Sequence, residues 1–110
     1  MSQAATEPIH VKDEDHFEDL IASNSVVLVD YYADWCGPCK MLAPTVEEIA
    51  AETDAAVLKV DIDELQGLAG TKGIRSVPTI EFYQNGEAAD RVVGVQDKAD
   101  LEAALDELSG

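Results

Sequence analysis

Positive charge is scarce in this sequence: seven Lys and Arg stand against 23 Asp and Glu, a formal charge of -16 at neutral pH. Phosphate backbones are bound by clustered Lys and Arg, and anionic lipid by basic segments, so neither nucleic acid nor a membrane surface is an expected partner. Long apolar runs are also missing. The longest wholly aliphatic stretch, Val26 to Val29, falls far short of the about 20 residues that a bilayer-crossing helix needs. Residues 1–8 hold neither the basic nor the apolar segment of a secretory signal, and a cytoplasmic location is expected from that. With two cysteines there is no disulfide framework. His10 and His16 lie far upstream of both cysteines at a spacing that matches no zinc site, so no metal is expected. No repeat, linker or low-complexity stretch divides the chain.

What is present fits one domain: 110 residues, 46% hydrophobic, enough to bury a core. Residues 1–8 read as a polar tail ending at Pro8, and residues 9–110 as the domain. Ile9 to Lys12 suits a short edge strand. Asp13 is placed to cap a helix with Phe17, Leu20 and Ile21 on its apolar face, broken at Ser23-Asn24-Ser25. Val26 to Tyr32 is a nearly continuous β-branched and aromatic run, the pattern of a central strand buried on both faces. After a turn, a second helix runs to about Glu52, with a kink expected at Pro44. Ala56 to Ile62 is a second apolar strand, interrupted by Lys59, and a short helix over Glu64 to Gly70 follows. Thr79 to Tyr83 and Ala88 to Val93 flank Asn85-Gly86, a strong hairpin signal. The last helix, from Asp97, sets Leu101, Ala104, Leu105 and Leu108 on one face. The order βαβαβαββα predicts an α/β fold: a mixed sheet of about five strands flanked by four helices.

Chemistry concentrates in Trp35-Cys36-Gly37-Pro38-Cys39-Lys40, between a strand and a helix. A cysteine at a helix N-terminus meets unpaired N–H groups and the positive end of the helix dipole, and both favour thiolate over thiol. Two intervening residues let the second sulfur reach the first, and Pro38 suits a first turn that needs no N–H from it. Cys36 is thus expected as an exposed attacking thiol and Cys39 as the resolving one. A structural disulfide and a zinc site are the competing uses of such a pair. The first closes too small a ring to stabilise much, and the second lacks two ligands.

The segment Val26-Val-Leu-Val-Asp-Tyr-Tyr-Ala-Asp-Trp-Cys-Gly-Pro-Cys-Lys40 resembles the active-site segment of the thioredoxin family. The likeness continues through Leu58 to Asp63, Gly73 to Thr79, Asn85-Gly86 and Val93-Gly94, covering residues 9 to 108 in the family's order. It implies the thioredoxin fold and a dithiol–disulfide oxidoreductase that reduces protein disulfides. It further implies thioredoxin reductase as electron donor, disulfide-containing client proteins, a monomer, and no cofactor beyond the Cys36–Cys39 disulfide. Asp30, six residues before Cys36 in an apolar strand, matches the family's buried aspartate, which assists proton transfer at the resolving cysteine. Burial would raise its pKa in any case; the alternative is a solvated strand-end carboxylate. Lys59 sits at the matching place on the neighbouring strand, either paired with Asp30 or extended along the surface. Pro78 matches the family's cis-proline beside the disulfide, and Trp35, Gly37, Pro38, Val77, Pro78 and Gly94 correspond to the shallow patch where a substrate chain lies. For Trp35 the alternative is core filling.

Two positions depart from the usual pattern. Tyr32 stands where the family often has Trp, and Asp34 adds negative charge beside the site, with consequences for partner choice. A disulfide oxidant or isomerase commonly carries a histidine between its cysteines, which Gly37-Pro38 does not supply. A scaffold or processivity-type subunit on the same fold is the alternative from outside enzymology. The acidity itself goes beyond the magnitude of about 2–8 that keeps a small domain soluble, and points to a halophile with a salt-rich cytosol.

Overall fold

The computed structural model describes residues 6–109. Nine elements follow in the expected order: β1 (Ile9–His10), α1 (Glu14–Ser23), β2 (Val26–Tyr32), α2 (Gly37–Glu52), β3 (Ala56–Asp61), α3 (Gln66–Thr71), β4 (Thr79–Gln84), β5 (Glu87–Val93) and α4 (Lys98–Ser109). They build one five-stranded sheet in the order β1-β3-β2-β4-β5. β1 and β2 run parallel to β3, while β4 is antiparallel to both β2 and β5. The sheet is mixed, as the pattern of crossovers and one hairpin requires.

β2 is central because its residues are apolar on both sides. Val27, Val29 and Tyr31 face a core closed by Phe17 and Ile21 of α1 and Leu68 of α3. Leu28 faces the opposite core, closed by Leu42, Val46 and Ile49 of α2 with Leu101 and Leu105 of α4. The alternation of a strand thus sorts two helices to each face. Ala104 and Leu108, expected in the core, pack against its margin and are half-buried.

Local signals act where they were expected. The Asp13 carboxylate accepts the His16 N–H at 2.8 Å and caps α1. His16 also turns its Nδ1 to the Lys12 N–H, 2.9 Å away. Asn85 and Gly86 both take positive φ, 51° and 86°, the turn that matches the twist of paired strands. Several boundaries move by one or two residues. β1 stops at His10, although Val11 N–H still donates to Lys59 O at 3.0 Å. Ser23 stays in α1, because its hydroxyl bonds back to Asp19 O at 2.7 Å. α3 begins at Gln66, since Asp61 Oδ1 accepts the N–H groups of Asp63 and Glu64 and holds them in a turn. Pro44 lies inside α2, which continues across it to Glu52. Of the expected tail over residues 1–8, residues 1–5 lie outside those described.

Candidate active site

Cys36 is the N-cap of α2, and its Sγ accepts the Cys39 N–H at 3.1 Å. A sulfur therefore occupies the position where a capping serine or aspartate oxygen would bond an orphan N–H. Pro38 follows in the first turn, where its missing donor leaves nothing unsatisfied. Cys36 and Cys39 are joined as a disulfide, with Cα atoms 5.2 Å apart. Ala33 and both cysteines form a small buried cluster, closed by Tyr32, Ile62 and Val77. One expectation fails here. Cys36 is 4% exposed, little different from Cys39 at 6%. The reason is packing from the neighbouring loop, whose Val77 carbonyl oxygen lies 3.6 Å from Cys36 Sγ.

That loop connects α3 to β4. The Val77–Pro78 peptide is cis and Pro78 is buried. Thr79 Oγ1 donates to Ser76 O at 2.7 Å, and Gly94 N–H donates to Pro78 O at 2.8 Å. Gly94 has φ 93°, a conformation that a residue with a Cβ adopts only under strain. A Cβ built on Gly37 would meet nothing within 4 Å, so this glycine borders open space. Trp35 is 69% exposed, which removes it from the core. Its indole Nε1 donates to Asp63 Oδ2 at 2.8 Å and fixes the ring beside the disulfide. The role of Asp63 has no local signal in the sequence, because the contact spans 28 residues. Val93 and Val95, also exposed, flank Gly94, so two apolar side chains border the glycine that bonds Pro78 O.

Asp30 lies on the α2 face of β2, in register with Lys59 on one side and Ile80 on the other. It is 1% exposed, so it is not a solvated strand-end carboxylate. Its Oδ1 has no hydrogen-bond partner. Burial raises its pKa from 3.8 to about 6, against the opposing pull of the Lys59 ammonium. Lys59 stays half-buried, its Nζ 4.4 Å from the centroid of the Tyr32 ring. A cleft of about 140 Å³ brings Tyr32, Asp34, Cys39, Lys40 and Lys59 to one solvent-facing opening. The sequence links Lys59 to Asp30 and Asp30 to Cys39; the cleft brings Lys59 and Cys39 themselves to one opening. Among the described residues, no group of three or more His, Cys, Asp or Glu is placed to hold a metal ion.

The thioredoxin family model matches residues 7–107. The chain belongs to the thioredoxin family. It is similar to the solved structure of a single-residue variant of the Halobacterium salinarum thioredoxin, at 44% identity and a TM-score of 0.95, with 100% of this chain and 96% of that one covered. A thioredoxin of Staphylococcus epidermidis is 45% identical over 100 residues, which is 89% of this chain and 94% of that protein. A bifunctional thioredoxin reductase/thioredoxin of Mycobacterium leprae is 44% identical over 95 residues, covering 84% of this chain and 21% of that protein.

The activity is that of a thiol–disulfide oxidoreductase reducing disulfides, and thioredoxins perform it with their own dithiol, here Cys36 and Cys39. No helix among the described residues is long and apolar enough to cross a membrane.

Proposed function

We propose that Cys36 is the attacking thiol and Cys39 the resolving one. The observation that carries this is the Cys39 N–H directed at Cys36 Sγ at the start of α2, which favours the thiolate at position 36. The Cys36 thiolate attacks one sulfur of a client disulfide, and the other client sulfur leaves as a thiolate. Cys39 then attacks Cys36 Sγ, the Cys36–Cys39 disulfide forms, and the second client sulfur leaves. Two electrons pass from the dithiol to the client, and two protons end on its thiols. Asp30 takes the Cys39 proton during resolution, with Lys59 beside it tuning the carboxylate. Trp35, Gly37, Pro38, Val77, Pro78 and Gly94 form the surface on which the client chain lies, the exposed Trp35 ring and the open space over Gly37 both suiting that role.

The working protein on this reading is the monomeric domain of residues 9–110, without a further cofactor, in the cytoplasm. Thioredoxin reductase supplies its electrons, and disulfide-containing proteins are its clients. The charge of -16, with the resemblance to a Halobacterium salinarum thioredoxin, supports a halophilic source.

The test is trapping. Cys39→Ser, reduced beforehand, should accumulate a mixed disulfide between Cys36 and one chain of disulfide-bonded insulin, visible as a mass adduct that dithiothreitol removes. Cys36→Ser should accumulate none, and an adduct on Cys39 in that variant would reverse the two roles.

A further inference from the structure

The active site uses one end of β5 through Gly94, and the strand's other contact to the same loop is made by Arg91. Arg91 stands directly opposite Glu81 in the β4–β5 register. One guanidinium nitrogen, Nη2, donates to Glu81 Oε2 at 2.6 Å and to Lys72 O at 2.7 Å. Lys72 is the C-cap of α3, where the loop carrying Val77 and Pro78 begins. That end turns through Gly73 at φ 69°, and Ile74 N–H closes it onto Ala69 O at 3.0 Å. The far end of the loop is held by Gly94 N–H on Pro78 O. Arg91 on β5 and Gly94 just past its end therefore grip the loop at both ends, three residues apart.

The grip is rigid because its anchor is buried. Glu81 is 4% exposed, and its Oε1 accepts the hydroxyls of Tyr31 at 2.9 Å and Tyr83 at 2.7 Å. With Oε1 engaged by two phenols, Oε2 is left to hold Nη2 of the guanidinium, and a nitrogen so held stays aimed at Lys72 O. We propose that Arg91, held by Glu81, is a positioning residue for disulfide reduction: it fixes the Lys72–Pro78 loop where a client's backbone docks beside Cys36. This rests on the reading of Val77 and Pro78 as client-binding residues.

The experiment uses the full chain carrying Glu81→Gln together with Arg91→Met. Gln at 81 still accepts from both phenols, and no buried charge is left unpaired. Loss of one charge-assisted hydrogen bond to the loop should raise KM for insulin about 5-fold, with kcat within about 2-fold. The rate with a small aryl disulfide, which needs no loop backbone, should stay unchanged, and amide hydrogen exchange should quicken at Gly73 to Val77 while the β2 amides keep their protection. Arg91→Lys, which keeps Glu81 paired, is the second arm and should show the same pattern at about half the size. Unchanged loop exchange in both variants would overturn the proposal by detaching Arg91 from the loop. Faster loop exchange with an unchanged insulin KM would overturn it differently, by removing the loop from client docking. Equal losses on insulin and on the small disulfide would also overturn it, since they would indicate damage to the thiols.

Discussion

Asp30 and Glu81 are two buried carboxylates on neighbouring strands, and the sheet turns them to opposite faces. Asp30 pairs with Ile80 and Glu81 with Val29, so they are one register step apart across β2 and β4. On the α2 face, Asp30 has one oxygen with no hydrogen-bond partner and a pKa raised to about 6 by burial. On the other face, Glu81 accepts from two tyrosines and an arginine. Burial first, and then the adjacent Glu81, push the Tyr31 and Tyr83 phenols upward, so both remain donors at any pH the fold experiences. A carboxylate that is left partly unsatisfied near the thiols can gain or lose a proton near neutrality. One that accepts from two hydroxyls and a guanidinium holds those partners in place, and serves as an anchor.

The largest effect that would sharpen this contrast is on stability. Glu81→Leu leaves two buried phenol hydroxyls without an acceptor, each at about 1–3 kcal/mol. A net loss of about 4 kcal/mol is expected, a fall of roughly 16–30 °C in Tm for a domain of this size. Thermal unfolding followed by far-ultraviolet circular dichroism measures it. A loss under about 1 kcal/mol would mean that water or repacking replaces the network, and the two carboxylates would no longer differ in kind.

Asp30→Asn should act in the opposite direction. The folded protein holds the Asp30 proton up to a pKa of about 6, while the unfolded chain releases it near 3.8. Between those values the native state binds more protons, so stability falls as pH rises through the window and stays lower above it. At about 1.4 kcal/mol per pH unit, the ionised carboxylate destabilises the fold by about 3 kcal/mol. Asn retains a buried polar group, so a gain of about 2 kcal/mol is expected at pH 8, vanishing below about pH 4. Resolution of the mixed disulfide should slow by up to about 10²-fold, with the inflection near pH 6 lost from the rate profile. Urea midpoints and single-turnover rates across pH check both, and a variant with the parent's turnover from pH 6 to 8 would remove Asp30 from the proton path.

The two carboxylates also mark how far the sequence could be read. Asp30 stands out as a charge within Val26 to Tyr32, beside a cysteine pair whose placement on a strand–turn–helix is local information. The element order and hairpin follow from the same kind of short-range periodicity and turn chemistry. Glu81 stands out equally within Thr79 to Tyr83, yet its meaning depends on Tyr31 and Arg91, 50 and 10 residues away. Trp35 and Asp63 are separated in the same way. The burial of Cys36 was hidden for a related reason: its cover comes from Val77, 41 residues on. Local signals placed the elements, and cross-strand partners had to await the register.

The smallest expected effect is the response of these buried groups to salt, set against a large response of the surface. Glu14, Asp15, Glu18 and Asp19 on α1, with Asp100, Asp106 and Glu107 on α4, are all exposed. Lys98 answers Glu48 and Glu52 at 3.0 and 2.8 Å across α4 and α2, but most of the acidic surface has no such partner among the ion pairs of the described residues. Raising ionic strength from about 0.01 M to 1 M shortens the screening length from about 30 Å to about 3 Å. Repulsion between exposed carboxylates should therefore collapse, and the urea midpoint of the parent should climb steeply with KCl, as the halophilic reading requires. Glu81, with its side chain 6% exposed, is shielded from that solvent. The stability gap between parent and Glu81→Leu should move by less than about 0.5 kcal/mol across the series, because most of it comes from the buried Tyr31 and Tyr83 hydrogen bonds, which salt hardly screens, and only the Arg91 side chain, 36% exposed, meets the solvent. A flat or falling midpoint for the parent would make its acidity incidental. A gap that narrows in step with KCl would place the Glu81–Arg91 pair among the screened surface pairs, and the anchor on the α1 face would lose its distinction from the acids outside.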